Sequence, residues 1–153
     1  MARRVFFSFH FERDIFRVNV IRNKNVVAGT DGAGFYDHSE YEEAKKKGDD
    51  TIKRMIREKL VGTSVTVVLI GAETAGRAYV KYEIEQSIAN KNGLLGIHIH
   101  NITSVDKTTD YRGAVPSVPY GVEFPTYDWD GDLTRFAGEI ENAGKRSDKL
   151  RGR

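Results

Sequence analysis

The sequence predicts an α/β fold, a central and mostly parallel sheet between helical layers, and three observations predict it. The stretch from Ser64 to Ile70 is a near-continuous apolar run, the habit of a strand buried on both faces of a parallel sheet. Two comparable runs, Val5–Phe9 and Leu94–Ile99, flank it in the chain. Segments with helical spacing stand between the runs; Val80, Ile84 and Ile88, at i, i+4 and i+8, form a stripe suited to packing on a sheet. Repeated strand-then-helix units imply right-handed crossovers and a flavodoxin-like three-layer sandwich.

The elements follow in order. After the strand at Val5–Phe9 a helix is expected from about Arg13 to Asn25, then a glycine-rich turn (Gly29, Gly32, Gly34) and a short second strand at Phe35–Tyr36. His38 to Lys47 reads as a charged loop. The next helix takes Asp49 or Asp50 as N-cap and turns Ile52, Met55, Ile56 and Leu60 toward the core. The apolar strand follows, then a short Gly/Thr loop from Gly71 to Gly76 and the helix of Val80, then the strand at Leu94–Ile99. Residues 101–125 hold all three prolines and few apolar side chains, which reads as a long loop. A last helix starts near Asp130 or Asp132 and buries Leu133, Phe136, Ala137 and Ile140. From Lys145 the chain is basic and is expected to be mobile, so residues 1–145 form a single domain and 146–153 a flexible tail.

Composition narrows the function classes. With 153 residues, 39% hydrophobic and 30% charged, the chain has the length and make-up of one folded domain. Its net charge of +2, from 24 basic against 22 acidic residues, gives no general case for nucleic-acid binding. The absence of cysteine excludes disulfides and thiolate metal sites. No run approaches the length of a signal-peptide core or a membrane span, so a cytoplasmic location and no membrane partner are expected.

Several patterns imitate known sites and fail on a specific residue. Gly71 and Gly76 mimic a phosphate-binding loop, but Arg77-Ala78 replaces the required Lys-Ser/Thr. The glycines at 29–34 do not follow the first strand, as a dinucleotide-binding turn requires. Asp128, Asp130, Asp132 and Glu139 fall at calcium-loop positions, yet Leu133 stands where glycine is needed; acids opening a helix are the simpler reading. His98 and His100 alternate with Ile97 and Ile99 and share one face. No further ligand is evident beside them, so a structural pair and no metal are expected.

Glu83 carries the functional argument. At about 100° per residue it shares the margin of the apolar stripe with Tyr79, one helical turn away. Ligands of open α/β sheets bind just past the carboxyl ends of the strands, which places the 71–76 loop and the first turns of this helix where chemistry is expected. Spacing alone favours an amphipathic helix whose Lys81, Glu83 and Glu85 are ordinary surface charges.

The segment Tyr79-Val80-Lys81-Tyr82-Glu83-Ile84 resembles the helix motif of TIR-domain NAD-cleaving enzymes, an aromatic followed four residues later by the catalytic glutamate. The opening Arg4-Val5-Phe6-Phe7-Ser8-Phe9-His10 resembles the first strand of that family. Together with Gly34-Phe35-Tyr36-Asp37 and Val68-Leu69-Ile70-Gly71, it is closer still to the ThsB family, TIR-like sensors of bacterial Thoeris anti-phage defence. The likeness covers roughly residues 3 to 100.

The resemblance implies an NAD glycohydrolase or ADP-ribosyl cyclase that releases nicotinamide and makes a cyclic ADP-ribose-type messenger. It implies Glu83 as the catalytic residue and Ser8, Phe9, His10, Asp37 and Tyr79 around the substrate. His10 stands where many relatives carry Arg, and Tyr79 where a Trp is more usual in animal relatives. NAD is the substrate and no cofactor is implied. The implied partners are further copies, meeting through TIR-like surfaces that include the 38–47 loop, a phage-derived trigger and a separate downstream effector. A non-catalytic TIR-like interaction module is the alternative. A phosphoacceptor receiver shares the fold but needs acids at the end of the first strand, which here reads Ser8-Phe9-His10.

Overall fold

A computed structural model describes residues 3–22, 38–104 and 106–153, and of 38–41 only the backbone. Four strands, β1 (Val5–Ser8), β2 (Val65–Ile70), β3 (Gly93–His98) and β4 (Thr126–Asp128), form a sheet of order β1-β2-β3-β4. Every pairing is parallel, with Ser8 opposite Val68, Ile70 opposite His98, and His98 opposite Asp128. The helices among the described residues are α1 (Phe11–Arg22), α2 (His38–Lys47), α3 (Asp49–Leu60), α4 (Ala78–Ala89) and α5 (Leu133–Leu150), with a 3-10 turn at Thr74–Gly76. The fold is the expected α/β class of TIR-like, flavodoxin-like type.

Alternation along the strands separates two faces. Ser8 bonds to Glu83 and Thr66 bonds to Ser87, which sets α4 on the face of Phe6, Val68 and Ile70. On the opposite face α5 lies so close to β3 that a Cβ on Gly93 would sit 1.9 Å from the Ala143 carbonyl oxygen. β2 and β3 are buried at every residue, as continuous apolar runs in a parallel sheet demand.

Several elements differ from the expectation. His38 to Lys47 is a helix rather than a loop; Ala44 is its buried apolar anchor, and dense Glu, Ala and Lys with a Glu43–Lys47 ion pair one turn apart favour the helix without an apolar stripe. The N-cap of α3 is Gly48, at φ 107°, so Asp49 and Asp50 lie in the first turn, where carboxylates face the positive helix end. α1 begins two residues earlier than expected, at Phe11. β4 is not anticipated by the sequence, because three residues after a proline-rich loop carry no run or alternation long enough to signal a strand. The expected strand at Phe35–Tyr36 and the glycine turn before it lie outside the described residues.

The expected start of α5 holds: the Asp132 carboxylate accepts the Arg135 backbone N–H at 3.0 Å. Its buried stripe is Phe136, Ile140, Ala143, Gly144 and Ser147, while Leu133 is 40% exposed and Ala137 also faces outward. The basic segment expected to be a tail is helical through Leu150. Arg3 donates to Glu141 and Asp148, tying the chain ahead of β1 to this helix, and Arg151 donates to the Asn90 and Thr63 carbonyls.

Candidate active site

Glu83 lies in the second turn of α4, and its side chain is not marginal but buried, 4% exposed. Two features place it there. Val80 and Ile84 pack against Val68, Ile70 and Leu94 of the sheet. One turn further, the Ser87 hydroxyl accepts from Thr66 and donates to the Glu83 carbonyl, pinning the helix to β2. Glu83 therefore reaches the carboxyl end of β1, where the fully buried Ser8 hydroxyl donates to its Oε1 at 2.8 Å. A hydrogen bond to a carboxylate is stronger than a neutral one and fixes which way the oxygens point.

Phe9 and His10 continue from Ser8 and take different roles. Phe9 is buried in the core and stacks on Phe11 at 5.9 Å. His10 is half-buried at the rim of a cavity of about 380 Å³ lined with Glu73, Gly76 and Arg77. Its Nδ1 lies 3.3 Å from Arg77 Nη1 and faces the Arg13 backbone N–H at the same distance. Burial first, and the Arg77 charge second, hold His10 below the usual imidazole range. Arg77 in turn pairs with Glu12.

Tyr79 is half-buried beside this group, with the Arg77 guanidinium 5.7 Å from its ring centre. Its hydroxyl donates to Asp49 of α3 at 2.7 Å. Burial, reinforced by that bond, pushes the phenol up to about 12. Asp37 lies outside the described residues. The structure thus brings Ser8 to Glu83, and His10 and Tyr79 to Arg77. A larger cavity of about 550 Å³ lies at the opposite edge of the sheet, beside Gly93, Leu94 and Arg146; the carboxyl edge, where such sheets bind ligands, holds the smaller one.

Sequence reasoning passes over Arg77, Glu12 and Asp14. The first two meet only because the fold joins α1 to the start of α4. Asp14 has a legible signal, since Phe11, Asp14, Val18 and Ile21 are buried at 3–4–3 spacing and a carboxylate interrupts an apolar stripe. It lies under the 71–74 loop, its Oδ2 3.5 Å from the Thr74 hydroxyl, and leaves no room for a Cβ on Gly71. Burial raises Asp14 from 3.8 to about 6, with Arg13 and Arg17 pulling it back.

A raised carboxyl adds stability that is fully present below the unfolded value and is lost as pH rises through the folded one. Asp14→Asn is therefore expected to remove a decline in stability between pH 3.8 and about 6, on the order of 3 kcal/mol, and to raise the melting temperature at pH 7. Thermal melts of both proteins across pH 4 to pH 8 check this; parallel curves would contradict it.

A family model described as "Thoeris protein ThsB, TIR-like domain" matches residues 6–104. The chain belongs to the ThsB TIR-like family. The match takes in Ser8, His10, Tyr79 and Glu83, so the ThsB-type segment contains the whole described site. The chain is also 41% identical over 140 residues to a Bacillus cereus (strain MSX-D12) protein named "Putative cyclic ADP-D-ribose synthase ThsB1", covering 86% of this chain and 73% of that one. The chain outside the ThsB match, from residue 105 on, supplies β4 and α5. Among the described residues, no helix is long and apolar enough to cross a membrane.

Proposed function

We propose that this ThsB-type domain cleaves the bond between nicotinamide and ribose in NAD, with Glu83 as its catalytic carboxylate. The observation that carries the reading is a buried glutamate, oriented by Ser8, at the carboxyl edge of a parallel sheet. The breaking C–N bond leaves its electron pair on nicotinamide, and positive charge develops on the ribose as in glycoside hydrolysis. A sugar leaving group needs a general acid to protonate it. Nicotinamide departs from a pyridinium as a neutral molecule and needs none. One preorganised carboxylate that holds the ribose hydroxyls and faces the developing cation is then sufficient.

Arg77 beside His10 offers positive charge to the substrate's pyrophosphate. Attack by water, with loss of its proton, gives ADP-ribose. Attack by a group within the same ADP-ribosyl unit gives a cyclic isomer, and the name of the Bacillus cereus relative favours that outcome. The cyclic product would act on a separate effector in the cytoplasm after a phage-derived trigger, with copies of the domain associating through TIR-like surfaces.

The test incubates the purified protein with NAD over a wide range of protein concentrations and identifies products by mass spectrometry. Nicotinamide with a cyclic partner is the expected result, and linear ADP-ribose alone would make the protein a hydrolase. No nicotinamide at any concentration, or in extracts of infected cells, would leave an interaction module.

A further inference from the structure

At the carboxyl ends of β3 and β4, three side chains converge that the proposed chemistry does not use. His98 is fully buried, and neither of its ring nitrogens has a hydrogen-bond partner among the described residues. Nδ1 of half-buried His100 is likewise unpartnered. Asp128 sits directly opposite His98 in the β3–β4 register. One ligand atom from each of His98, His100 and Asp128 lies within 4.8 Å of the others. The third group missing from the sequence reading of the histidine pair is thus supplied by β4, the strand that reading does not anticipate.

We propose that His98, His100 and Asp128 bind a divalent first-row transition-metal ion. Two imidazoles and one carboxylate, without thiolate, suit zinc and its neighbours in that row rather than calcium or magnesium. A buried imidazole with no partner loses the hydration of both nitrogens for nothing in return; a metal on one of them removes half of that cost. Ligand bonds of about 2.1 Å would draw the three atoms to roughly 3.4 Å apart, a closure of about an ångström that χ rotation of exposed Asp128 and half-buried His100 can supply.

The electrostatics agree. Burial first, then Arg112, lower the affinity of His98 for a proton, so the ring is held in the unprotonated form that ligates. Asp128 and His100 are the other charged or titratable groups acting on it. Arg112 approaches Asp128 only at Oδ1, at 3.1 and 3.3 Å, and is the cation an incoming ion would compete with. The site stands two strands from Ser8 on the same sheet face, on the order of 10 Å across the sheet. An ion there would fasten the end of β3 to the end of β4. The proposal does not depend on Glu83 being catalytic.

The experiment uses tag-free protein stripped with a chelator, titrated with Zn2+ by calorimetry and with Co2+ by visible absorption. One ion per chain is expected, with a rise in melting temperature. His100→Gln and Asp128→Asn should each weaken binding about tenfold or more, while His38→Gln should leave it unchanged and Arg112→Gln should tighten it. Both ligand positions have exposed surface, and the metal-free melting temperature of each variant shows that it folds. Absence of one-to-one binding in the wild type, or binding unmoved by His100→Gln and Asp128→Asn, would overturn the proposal.

Discussion

Glu83→Gln is expected to lower nicotinamide release from NAD by about 100- to 1,000-fold or more while leaving the fold in place. The size follows from losing a full negative charge that faces a developing cation in a site shielded from water, a loss of about 3–4 kcal/mol of transition-state stabilisation. The fold survives because glutamine is isosteric and its carbonyl oxygen can still accept the Ser8 hydroxyl that now bonds to Glu83 at 2.8 Å. Single-turnover rates at matched concentrations, with melting curves as the control, check both halves. Undiminished product formation under activating conditions would remove Glu83 from the mechanism.

Gly93→Ala is expected to cost about 3 kcal/mol of stability or more and to lower the melting temperature by about 10 °C. The added Cβ would stand 1.9 Å from the Ala143 carbonyl oxygen and 2.6 Å from its carbon. Both are backbone atoms of α5, so no rotamer change relieves the clash, and either the helix lifts from β3 or the strand shifts. Gly138 on the same helix is the internal control. It is exposed, and a Cβ added there would meet nothing within 4 Å, so Gly138→Ala should stabilise by about 0.5–1 kcal/mol through the helix preference of alanine. Paired chemical denaturation of the two variants should therefore move in opposite directions; a neutral Gly93→Ala would mean that α5 is held more loosely against β3 than so close an approach requires.

The contrast between these two positions bears on what a sequence can reveal. Val65–Ile70 and Gly93–His98 are legible because burial on both faces leaves few polar residues for several positions. The α4 stripe is legible because Val80 and Ile84 repeat at helical spacing. The 38–47 helix is not, since a solvated helix needs no apolar face. β4 is not, since its pairing with β3 comes from tertiary contact across a long loop.

The site divides in the same way. Glu83 and Ser8 can be named from local motifs, but the bond between them spans 75 positions and depends on how α4 is set on the sheet. Spacing puts Glu83 at a margin where the structure buries it, because spacing gives an angle around a helix and not the depth of what lies against it. Arg77 and Asp128 escape for a related reason: each gains its place only from partners on distant elements.

The seating of α5 has an implication for the order in which the domain can be completed. The cluster that holds Phe7, Val67, Leu95 and Ile97 takes Val18 and Ile21 from α1 and Phe136, Ile140 and Ala143 from α5, a helix made after the four described strands. Arg3, near the start of the chain, likewise waits for Glu141 and Asp148 near its far end. During synthesis the sheet can pair strand by strand, yet the part of this side that Phe136, Ile140 and Ala143 cover stays open until residues 133–150 have left the ribosome. A nascent chain stopped before Leu133 has Glu83 and the ThsB-like segment, and still lacks the helix that completes its core.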